Sequence, residues 1–137
     1  MSYHLKIDLS DLMEAFESGS GEAEWYLDRD SGEVIMVVEG MPIDERDIDL
    51  EEERYLSVPT ISSRGSYAIM EEFIATVKDD GVRTDLEDAI KGKGAFRRFK
   101  DVLNHYPEDR KRWFAFKEAA VMQEIMAWLA EEDITLM

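Results

Sequence analysis

Residues 91–117, KGKGAFRRFKDVLNHYPEDRKRWFAFK, decide the helical part of the fold. After Gly94, apolar residues recur at helical spacing, which predicts a helix that ends near His105. Its predicted inward residues are Phe96, Phe99, Val102 and Leu103. Pro107 prevents this helix from continuing and suits the first turn of another. The stretch therefore predicts two helices that meet at a tight corner.

The second of these helices is predicted to run from Pro107 to about Glu131. On a helical wheel its apolar residues spread around most of the circumference, and a helix of this kind is buried on several sides. Two interpretations follow. Either this is the central helix of the domain, or one of its faces pairs with another chain. The candidate residues of such a partner interface are Trp113, Phe116, Met122, Met126 and Trp128.

Outward from this corner, the N-terminal half carries signals of a β-sheet. The runs AEWYLD (23–28) and EVIMVVEG (33–40) flank RDSG, in which Gly32 can supply the positive φ of a tight connection. This pattern predicts a β-hairpin, and RYLSVP (54–59) predicts a third strand. One face of the hairpin is expected to carry Trp25, Leu27, Ile35 and Val37, and the other face Tyr26, Val34, Met36 and Val38.

Three further helices are predicted. The first is capped by Asp8 or Ser10 and ends near Glu17, the second spans 66–77, and the third begins at the capping-box pattern of residues 84–87 and ends at Gly92. The fold class is therefore α+β, with a small antiparallel sheet packed with a mostly helical C-terminal half. A single domain is expected over 1–137, sheet-rich over about 1–60 and helical over about 61–137.

The charge of residues 91–117 contrasts with that of the whole chain. The protein has a formal net charge of −16, whereas this stretch holds nine Lys and Arg against three acids, a balance of +6. The other 110 residues hold seven basic and 29 acidic side chains, a balance of −22. Long-range repulsion disfavours nucleic acid and anionic membrane as partners of the whole molecule. A protein partner or self-association, including a homodimer, is favoured.

The composition also bounds the compartment. The chain has no Cys, which excludes disulfides and thiolate chemistry. Asp8, Asp11 and Glu14 fall where a signal peptide needs an apolar core, and no segment approaches the roughly 20 apolar residues of a membrane span. A cytoplasmic protein is therefore expected.

Signals for catalysis are weak. His4 and His105 lie in no metal or catalytic motif, and His105 is interpreted as a cation at a helix C-terminus. The run from Asp28 to Glu33 resembles the start of a calcium loop but lacks its later ligands and fits the hairpin instead. Acids of the segment 41–53 could bind Mg²⁺ or Ca²⁺, although such runs are usually solvated. No catalytic residue, metal site or cofactor is predicted, and enzymatic activity is left open but not favoured.

The basic cluster of the opening stretch has two interpretations. In the first, it is a ligand site for a phosphate, a nucleic-acid backbone or an acidic peptide, with the glycine backbone N–H groups assisting. The residues of this candidate ligand-binding site are Gly92, Gly94, Arg97, Arg98, Lys100, Arg110, Lys111 and Arg112. In the second, the same cations pair with acids of their own domain and only relieve repulsion.

Four motifs occur in order along the chain: YLD-x-x-x-GEV, RYL-x-x-P, Y-x-x-M-x-x-FI and G-x-GAFRRFKD. Together with RWFAFK and the final WLAEEDI, they resemble bacterial uncharacterised protein family 0158. The resemblance implies a small bacterial cytoplasmic domain and carries no established activity.

The predicted function is that of a non-enzymatic macromolecular interaction module. A variant is a nucleic-acid mimic or regulator, whose acidic face occupies the basic cleft of another protein. The alternative is a domain or enzyme that binds a phosphate or another anion at the corner formed by Arg97 and Arg98.

Overall fold

The computed structural model describes residues 2–18, 21 and 23–137. In these residues it contains five α-helices and six short β-strands, and the predicted α+β class is confirmed. The helices are α1 (Leu9–Glu17), α2 (Ser63–Ala75), α3 (Asp80–Ala89), α4 (Ala95–Leu103) and α5 (Pro107–Glu131). The strands are β1 (Tyr3–Leu5), β2 (Ala23–Asp28), β3 (Val34–Val38), β4 (Met41–Pro42), β5 (Tyr55–Ser57) and β6 (Ile134–Leu136).

The chain forms two compact units. Unit 1 comprises residues 1–62 and 121–137, and unit 2 comprises residues 63–120. The end of α5 and strand β6 thus belong to the sheet-bearing unit, whereas the sequence placed them in the helical half. Whether 1–137 unfolds as the predicted single domain is a question of cooperativity, and this stays a prediction.

The larger sheet of unit 1 has the strand order β4-β3-β2-β5, and every neighbouring pair is antiparallel. The predicted hairpin is confirmed as β2 and β3, and the predicted third strand is confirmed as β5 beside β2. Gly32 has φ +83°, and a Cβ at this position would lie 2.3 Å from the carbonyl oxygen of Lys6. The turn therefore needs glycine for its conformation and for the space.

The predicted division of the hairpin faces was wrong. In the observed register Trp25 lies opposite Met36 and Leu27 opposite Val34, so these four side chains share one face. Ile35 and Val37 lie on the other face, and both are buried. The reason is the turn: Asp28 pairs with Glu33 across four residues, which sets odd positions of β2 against even positions of β3.

A second, two-stranded sheet in unit 1 was not predicted. Strand β1 pairs in parallel with β6, with Tyr3 opposite Ile134 and Leu5 opposite Leu136. Leu5 and Ile134 join the core of unit 1, in which Phe16 of α1 meets Trp128 of α5 edge to face at 5.8 Å. Strands of three residues each carry almost no local signal, so only the fold reveals this pair.

The start of α1 was predicted correctly, whereas α2 and α3 begin earlier than predicted. The cap of α1 is confirmed, since the Asp8 carboxylate accepts a hydrogen bond from the backbone N–H of Ser10 at 2.9 Å. Helix α2 begins three residues before the predicted Ser66. Helix α3 begins before the predicted Thr84, because Asp79 is extended and its carboxylate accepts from the N–H of Val82 at 3.0 Å.

The core of unit 2 is built on aromatic rings. Phe73 of α2, Phe99 of α4 and Trp113 of α5 meet edge to face, with centroids 4.8 Å apart for Phe99 and Trp113 and 5.4 Å apart for Phe73 and Trp113. Phe96 was predicted to face inward, but its side chain is 41% exposed. Ala95, Phe99 and Leu103 take the inward positions of α4 one turn apart, which turns Phe96 to the flank.

Helix α5 has the predicted bounds, and its apolar wheel now has an explanation. Its first half buries Trp113 in the core of unit 2. Its second half buries Val121, Ile125 and Leu129 in the core of unit 1. The apolar residues of the two halves thus belong to two separate cores, so the summed wheel looks apolar nearly all round. None of the helices in the described parts of the chain is long and apolar enough to cross a membrane.

Candidate interaction surface

Arg98, one of the predicted ligand residues, is engaged inside unit 2. Its Nε donates a hydrogen bond to the carbonyl of Ala89 at 2.8 Å. Its two terminal nitrogens donate to the carbonyls of Lys93 and Lys91. The guanidinium therefore closes the end of α3 onto the connection that follows, and few of its donors are left for a ligand.

The two predicted glycines belong to this same connection. Gly92 and Gly94 have φ +74° and +76°, and Gly94 is the N-cap of α4. A Cβ at Gly94 would lie 3.1 Å from a terminal nitrogen of Arg98. The loop was expected to present backbone N–H groups to an anion. Its carbonyls at Lys91 and Lys93 instead receive Arg98.

Arg112 is also engaged within unit 2. It donates to the Asp109 carboxylate at 3.1 Å and to the hydroxyl of Thr76 at 3.0 Å, and its guanidinium lies 5.4 Å from the centre of the Phe73 ring. Arg112 is the only one of the six predicted ligand cations for which the described structure contains an acidic partner. The prediction of internal charge compensation therefore describes Arg112.

Tyr106 fixes the corner between α4 and α5. Its hydroxyl donates to the Asp85 carboxylate at 2.6 Å, across to α3. This hydrogen bond to a carboxylate raises the pKa of Tyr106 above its ordinary value. The phenol therefore keeps its proton at neutral pH and continues to donate.

Three predicted ligand residues are free of such bonds. Arg97, Lys100 and Lys111 are exposed, and within the described residues none of their side chains has an ion pair or a hydrogen bond. Asp101 lies one turn from Arg97, yet no ion pair forms between them in the described structure. In a chain with 32 acidic residues, these cations remain available to an external partner.

Two exposed phenylalanines accompany these cations. Phe114 is 48% exposed, and the guanidinium of Arg110 lies 5.0 Å from the centre of its ring. Phe96 lies one helical turn from Lys100, as Phe114 does from Arg110. We call this set the basic-aromatic surface. It consists of Phe96, Arg97, Lys100, Arg110, Lys111 and Phe114.

On each of the two helices, these residues lie on sides other than the one taken by the engaged arginine. On α4, Arg98 points toward the end of α3, while Phe96 and Lys100 lie on the other side of the buried Phe99. On α5, Arg112 points toward the end of α2, while Arg110 and Phe114 lie on the other side of Trp113.

The predicted partner-interface residues of α5 are not brought together. Trp113 and Trp128 are buried in the cores of units 2 and 1 respectively. Phe116 is half-buried, with its ring 5.5 Å from that of Phe73, and Met122 is half-buried as well. Met126 is 48% exposed.

The exposed position of Phe96 was missed, because the sequence pattern was interpreted as placing Phe96 in the core. Assigning Ala95 to the inward side of the wheel would have turned Phe96 outward.

Unit 1 holds a charged pair that was not predicted. Asp28 is the one charged residue of the described chain that is buried, and Arg54 binds both its oxygens, with Nε–Oδ1 3.1 Å and a terminal nitrogen 2.7 Å from Oδ2. Burial alone would raise the pKa of Asp28, but the hydrogen bonds from Arg54 and the Asp30 backbone outweigh it and hold the pKa below its ordinary value. The carboxylate stays ionised and ties β5 to the hairpin turn.

From the sequence, acids of the segment 41–53 could bind Mg²⁺ or Ca²⁺. In residues 2–18, 21 and 23–137, no three His, Cys, Asp or Glu side chains lie close enough together to hold a metal ion.

Comparison with known proteins gives a family without an assigned activity. The sequence model of the uncharacterised protein family UPF0158 matches residues 3–137. A UPF0158 protein of Pseudomonas aeruginosa is 28% identical over 132 residues, which cover 95% of this chain and 85% of the relative. A UPF0158 protein of Chlamydia trachomatis is 26% identical over 126 residues, and this match spans only 38% of that longer protein. No solved structure matches the chain.

Proposed function

The chain therefore belongs to the bacterial UPF0158 family, and we propose that it is a non-enzymatic interaction module that binds an acidic protein through its basic-aromatic surface. The observation that carries this proposal is the set of exposed cations without acidic partners, next to two exposed phenylalanines. The side chains of Arg97, Lys100 and Lys111 have no ion pair or hydrogen bond in the described chain. The guanidinium of Arg110 lies over the ring of Phe114 and has no ion pair among the described residues.

The two residue types would contribute differently to binding. An exposed ion pair contributes only about 0–1 kcal/mol, so the cations alone give weak affinity. Burial of an exposed Phe side chain contributes about 1.5–3 kcal/mol, and aromatic residues and Arg are enriched at the centres of protein interfaces. Phe96 and Phe114 would therefore supply most of the affinity, and the cations would select an acidic partner and accelerate the encounter.

The alternative function, an anion site at Arg97 and Arg98, is less well supported. Arg98 donates to three backbone carbonyls, which leaves Arg97 as the free cation of that pair. A nucleic-acid backbone would meet the same free cations but also the net charge of −16 of the whole chain. The net charge repels an acidic protein as well, but a protein can intersperse its acids with apolar side chains that contact Phe96 and Phe114, whereas a nucleic acid carries one charge at every phosphate.

The test is a binding titration with defined probes at about 0.1 M salt. The probes are a fluorescent peptide of alternating Glu and Leu, a peptide of Glu alone with the same charge, and a single-stranded DNA of equal length. We expect the Glu-Leu peptide to bind best. Arg97→Ala/Lys100→Ala should weaken its binding by about tenfold or more. The matched control is Arg64→Ala/Lys78→Ala, which removes the same charge from exposed positions of unit 2 outside the surface.

The outcomes separate the functions. Equal weakening by the control variant would show that binding follows net charge alone and would overturn the proposal. Stronger binding of DNA than of the Glu-Leu peptide would instead assign the surface to nucleic acid. Phe114→Ser provides a second measurement. Because Phe96 remains, loss of the Phe114 contact should reduce, and not abolish, the preference for the Glu-Leu peptide over the Glu peptide.

A further inference from the structure

We propose that the acidic partner of the basic-aromatic surface is a second copy of this chain, whose segment 41–53 docks on that surface. This inference rests on the proposed function and specifies its partner. The segment reads MPIDERDIDLEEE, with seven acids and one Arg, and we call it the acidic segment. It begins with β4, which is an edge strand of the four-stranded sheet.

The acidic segment presents apolar side chains to solvent. Met41 is 58% exposed and Ile43 is 63% exposed. The segment is nevertheless held in place at its start, because the backbone N–H of Ile43 donates to the carbonyl of Met36 at 2.9 Å. Two exposed apolar side chains thus stand at a fixed position on the sheet edge, as Phe96 and Phe114 stand on their helices.

Most carboxylates of the acidic segment are as free as the cations of the basic-aromatic surface. Asp44 pairs with Arg46 at 2.7 Å, and Arg46 also binds Glu33 at 2.6 Å. The other acids of the segment have no ion pair among the described residues. These are Glu45, Asp47, Asp49, Glu51, Glu52 and Glu53.

The two surfaces are complementary in both respects. Each combines two exposed apolar side chains with at least three free charges, and the charges have opposite sign. Six large apolar side chains are exposed in the described residues, and four of them are Met41, Ile43, Phe96 and Phe114. Exposed apolar area flanked by charge is typical of interaction sites. A contact between copies would bury these four side chains against each other and neutralise the free charges.

The net charge predicts an unusual dependence on salt. Two copies with a charge of −16 each repel as whole molecules when the Debye length is about 30 Å, at about 0.01 M salt. At about 0.1 M the Debye length is about 10 Å, so whole-molecule repulsion is screened while charges in contact still attract. At about 1 M the contact charges are screened too. Self-association should therefore be strongest at the intermediate salt concentration.

The experiment is sedimentation equilibrium of the full chain with charge-reversal variants. Arg97→Glu/Lys100→Glu reverses the basic-aromatic surface, and Asp47→Lys/Glu51→Lys reverses the acidic segment. Each variant alone should have its self-association constant lowered by about tenfold or more. The matched controls are Arg64→Glu/Lys78→Glu and Glu14→Lys/Glu17→Lys, which make the same changes of net charge at other positions. Their association constants should stay near the wild-type value, so that a larger change in a test variant reports the contact itself.

Mixing the two reversed variants gives the decisive measurement. The reversed surface of one variant then meets the reversed segment of the other, and the unchanged surface meets the unchanged segment. We expect the two variants in a one-to-one mixture to associate with each other about as tightly as wild type, and at least about tenfold more tightly than either variant associates with itself. A paired contact of this kind closes a two-fold dimer, whereas a single contact per pair would lead to longer chains, and the measured mass distinguishes them.

Failure of this inference is distinguishable from failure of the proposed function. A wild-type chain that stays monomeric at every concentration and salt, while the Glu-Leu peptide still binds the basic-aromatic surface, would overturn self-association and leave the surface with another acidic partner. Failure of the peptide to bind would overturn the proposed function. Association that persists in both reversed variants would assign the dimer contact to a different face and would also overturn this inference.

Discussion

Two corners of the molecule use an arginine to hold a chain turn, and they do so with different chemistry. In unit 1, Arg54 forms a two-point ion pair with the buried carboxylate of Asp28, next to the hairpin turn. In unit 2, Arg98 donates to backbone carbonyls at the end of α3 and in the connection to α4. The corner in unit 1 depends on the negative charge of the Asp28 carboxylate. The corner in unit 2 depends on backbone carbonyl groups, which do not titrate.

The two arginines also show that a cation of this acidic chain need not pair with an acid. Arg98 satisfies three of its donors with backbone carbonyls and has no acidic partner in the described structure. Arg97, the adjacent residue, points away from that connection and finds no carboxylate in the described structure.

The largest expected effect distinguishes the glycines of the two corners. Gly32→Ala should destabilise unit 1 by about 3 kcal/mol or more, because the new Cβ meets the Lys6 carbonyl and the residue must keep a positive φ. Gly92→Ala should cost only about 1 kcal/mol, since beyond its two chain neighbours no atom of the described chain lies within 4 Å of its Cβ position and only the φ penalty applies. Urea unfolding of both variants measures the difference, and equal costs would contradict it.

Tryptophan fluorescence lets the same experiment test the single-domain prediction. Trp25 and Trp128 lie in the core of unit 1 and Trp113 lies in that of unit 2, so variants with the other tryptophans replaced by Phe report each unit alone. Coincident urea transitions, shifted together by Gly32→Ala, are expected for one cooperative domain. Two separate transitions, with only that of unit 1 shifted, would show that the units unfold independently.

The next effect is a pH dependence of the Asp28 corner. Asp28→Asn should cost about 2 kcal/mol at neutral pH, because it removes the charge that binds Arg54 and leaves buried polar groups imperfectly paired. The folded pKa of Asp28 lies below its ordinary value of about 3.9. The stabilisation is therefore fully present above about pH 4 and is lost as the pH falls through the folded pKa.

Unfolding free energies of wild type and Asp28→Asn measured between neutral and acid pH check this sign. The two curves should be furthest apart near neutrality and should approach each other in acid. If the difference between the two unfolding free energies stayed constant across this range, the cost of Asp28→Asn would come from altered packing and hydrogen bonding and not from the lost charge. Glu14→Gln, which changes an exposed acid on α1 without a described ion pair, serves as the matched control for the loss of one carboxylate.

Local signals account for what could be predicted from the sequence. Gly32 predicted the hairpin turn, Gly94 the start of α4 and Pro107 the start of α5. Each of these residues acts through the conformation of its own backbone. The cap at Asp8 was likewise visible because its partner lies two residues away. Signals of this kind depend on neighbours in sequence and need no knowledge of the fold.

The rest depends on contacts between distant segments. The pairing of β1 with β6 joins the two ends of the chain, and three-residue strands have no pattern that would announce it. The faces of the hairpin follow from the exact turn length, which the letters RDSG leave open. The capping-box pattern at Thr84 was overridden by Asp79, whose carboxylate reaches the N–H of Val82 and starts α3 earlier.

The candidate surface was only partly predictable for the same reason. The sequence identified the basic cluster, but charge alone does not distinguish Arg97 from Arg98, which are adjacent. Their roles separate once α3 supplies a carbonyl to one of them. Phe96 illustrates the same limit, because its exposure follows from Ala95 and Leu103 packing inward.

A third effect, smaller than the first two, concerns Arg98. Arg98→Met keeps the aliphatic stem but removes three hydrogen bonds to carbonyls, and it should cost about 1–2 kcal/mol because the guanidinium is half-buried. In contrast to Asp28→Asn, this cost should not change between neutral and acid pH, since neither guanidinium nor carbonyl titrates there. Urea unfolding at two pH values tests both statements. A loss that disappears in acid would imply an acidic partner for Arg98.

The smallest effect on stability is expected at the neighbouring position, and it separates the two roles within one helix. Arg97→Met should leave the urea midpoint unchanged, because the side chain has no ion pair or hydrogen bond in the described chain. The same substitution should weaken binding of the Glu-Leu peptide severalfold, whereas Arg98→Met, measured under conditions where it is fully folded, should weaken it less. If Arg98→Met weakened binding more than Arg97→Met did, the result would favour the alternative function, in which Arg98 is part of an anion-binding site at the corner. If Arg97→Met unfolded the protein, Arg97 would be part of the framework and not of a binding surface.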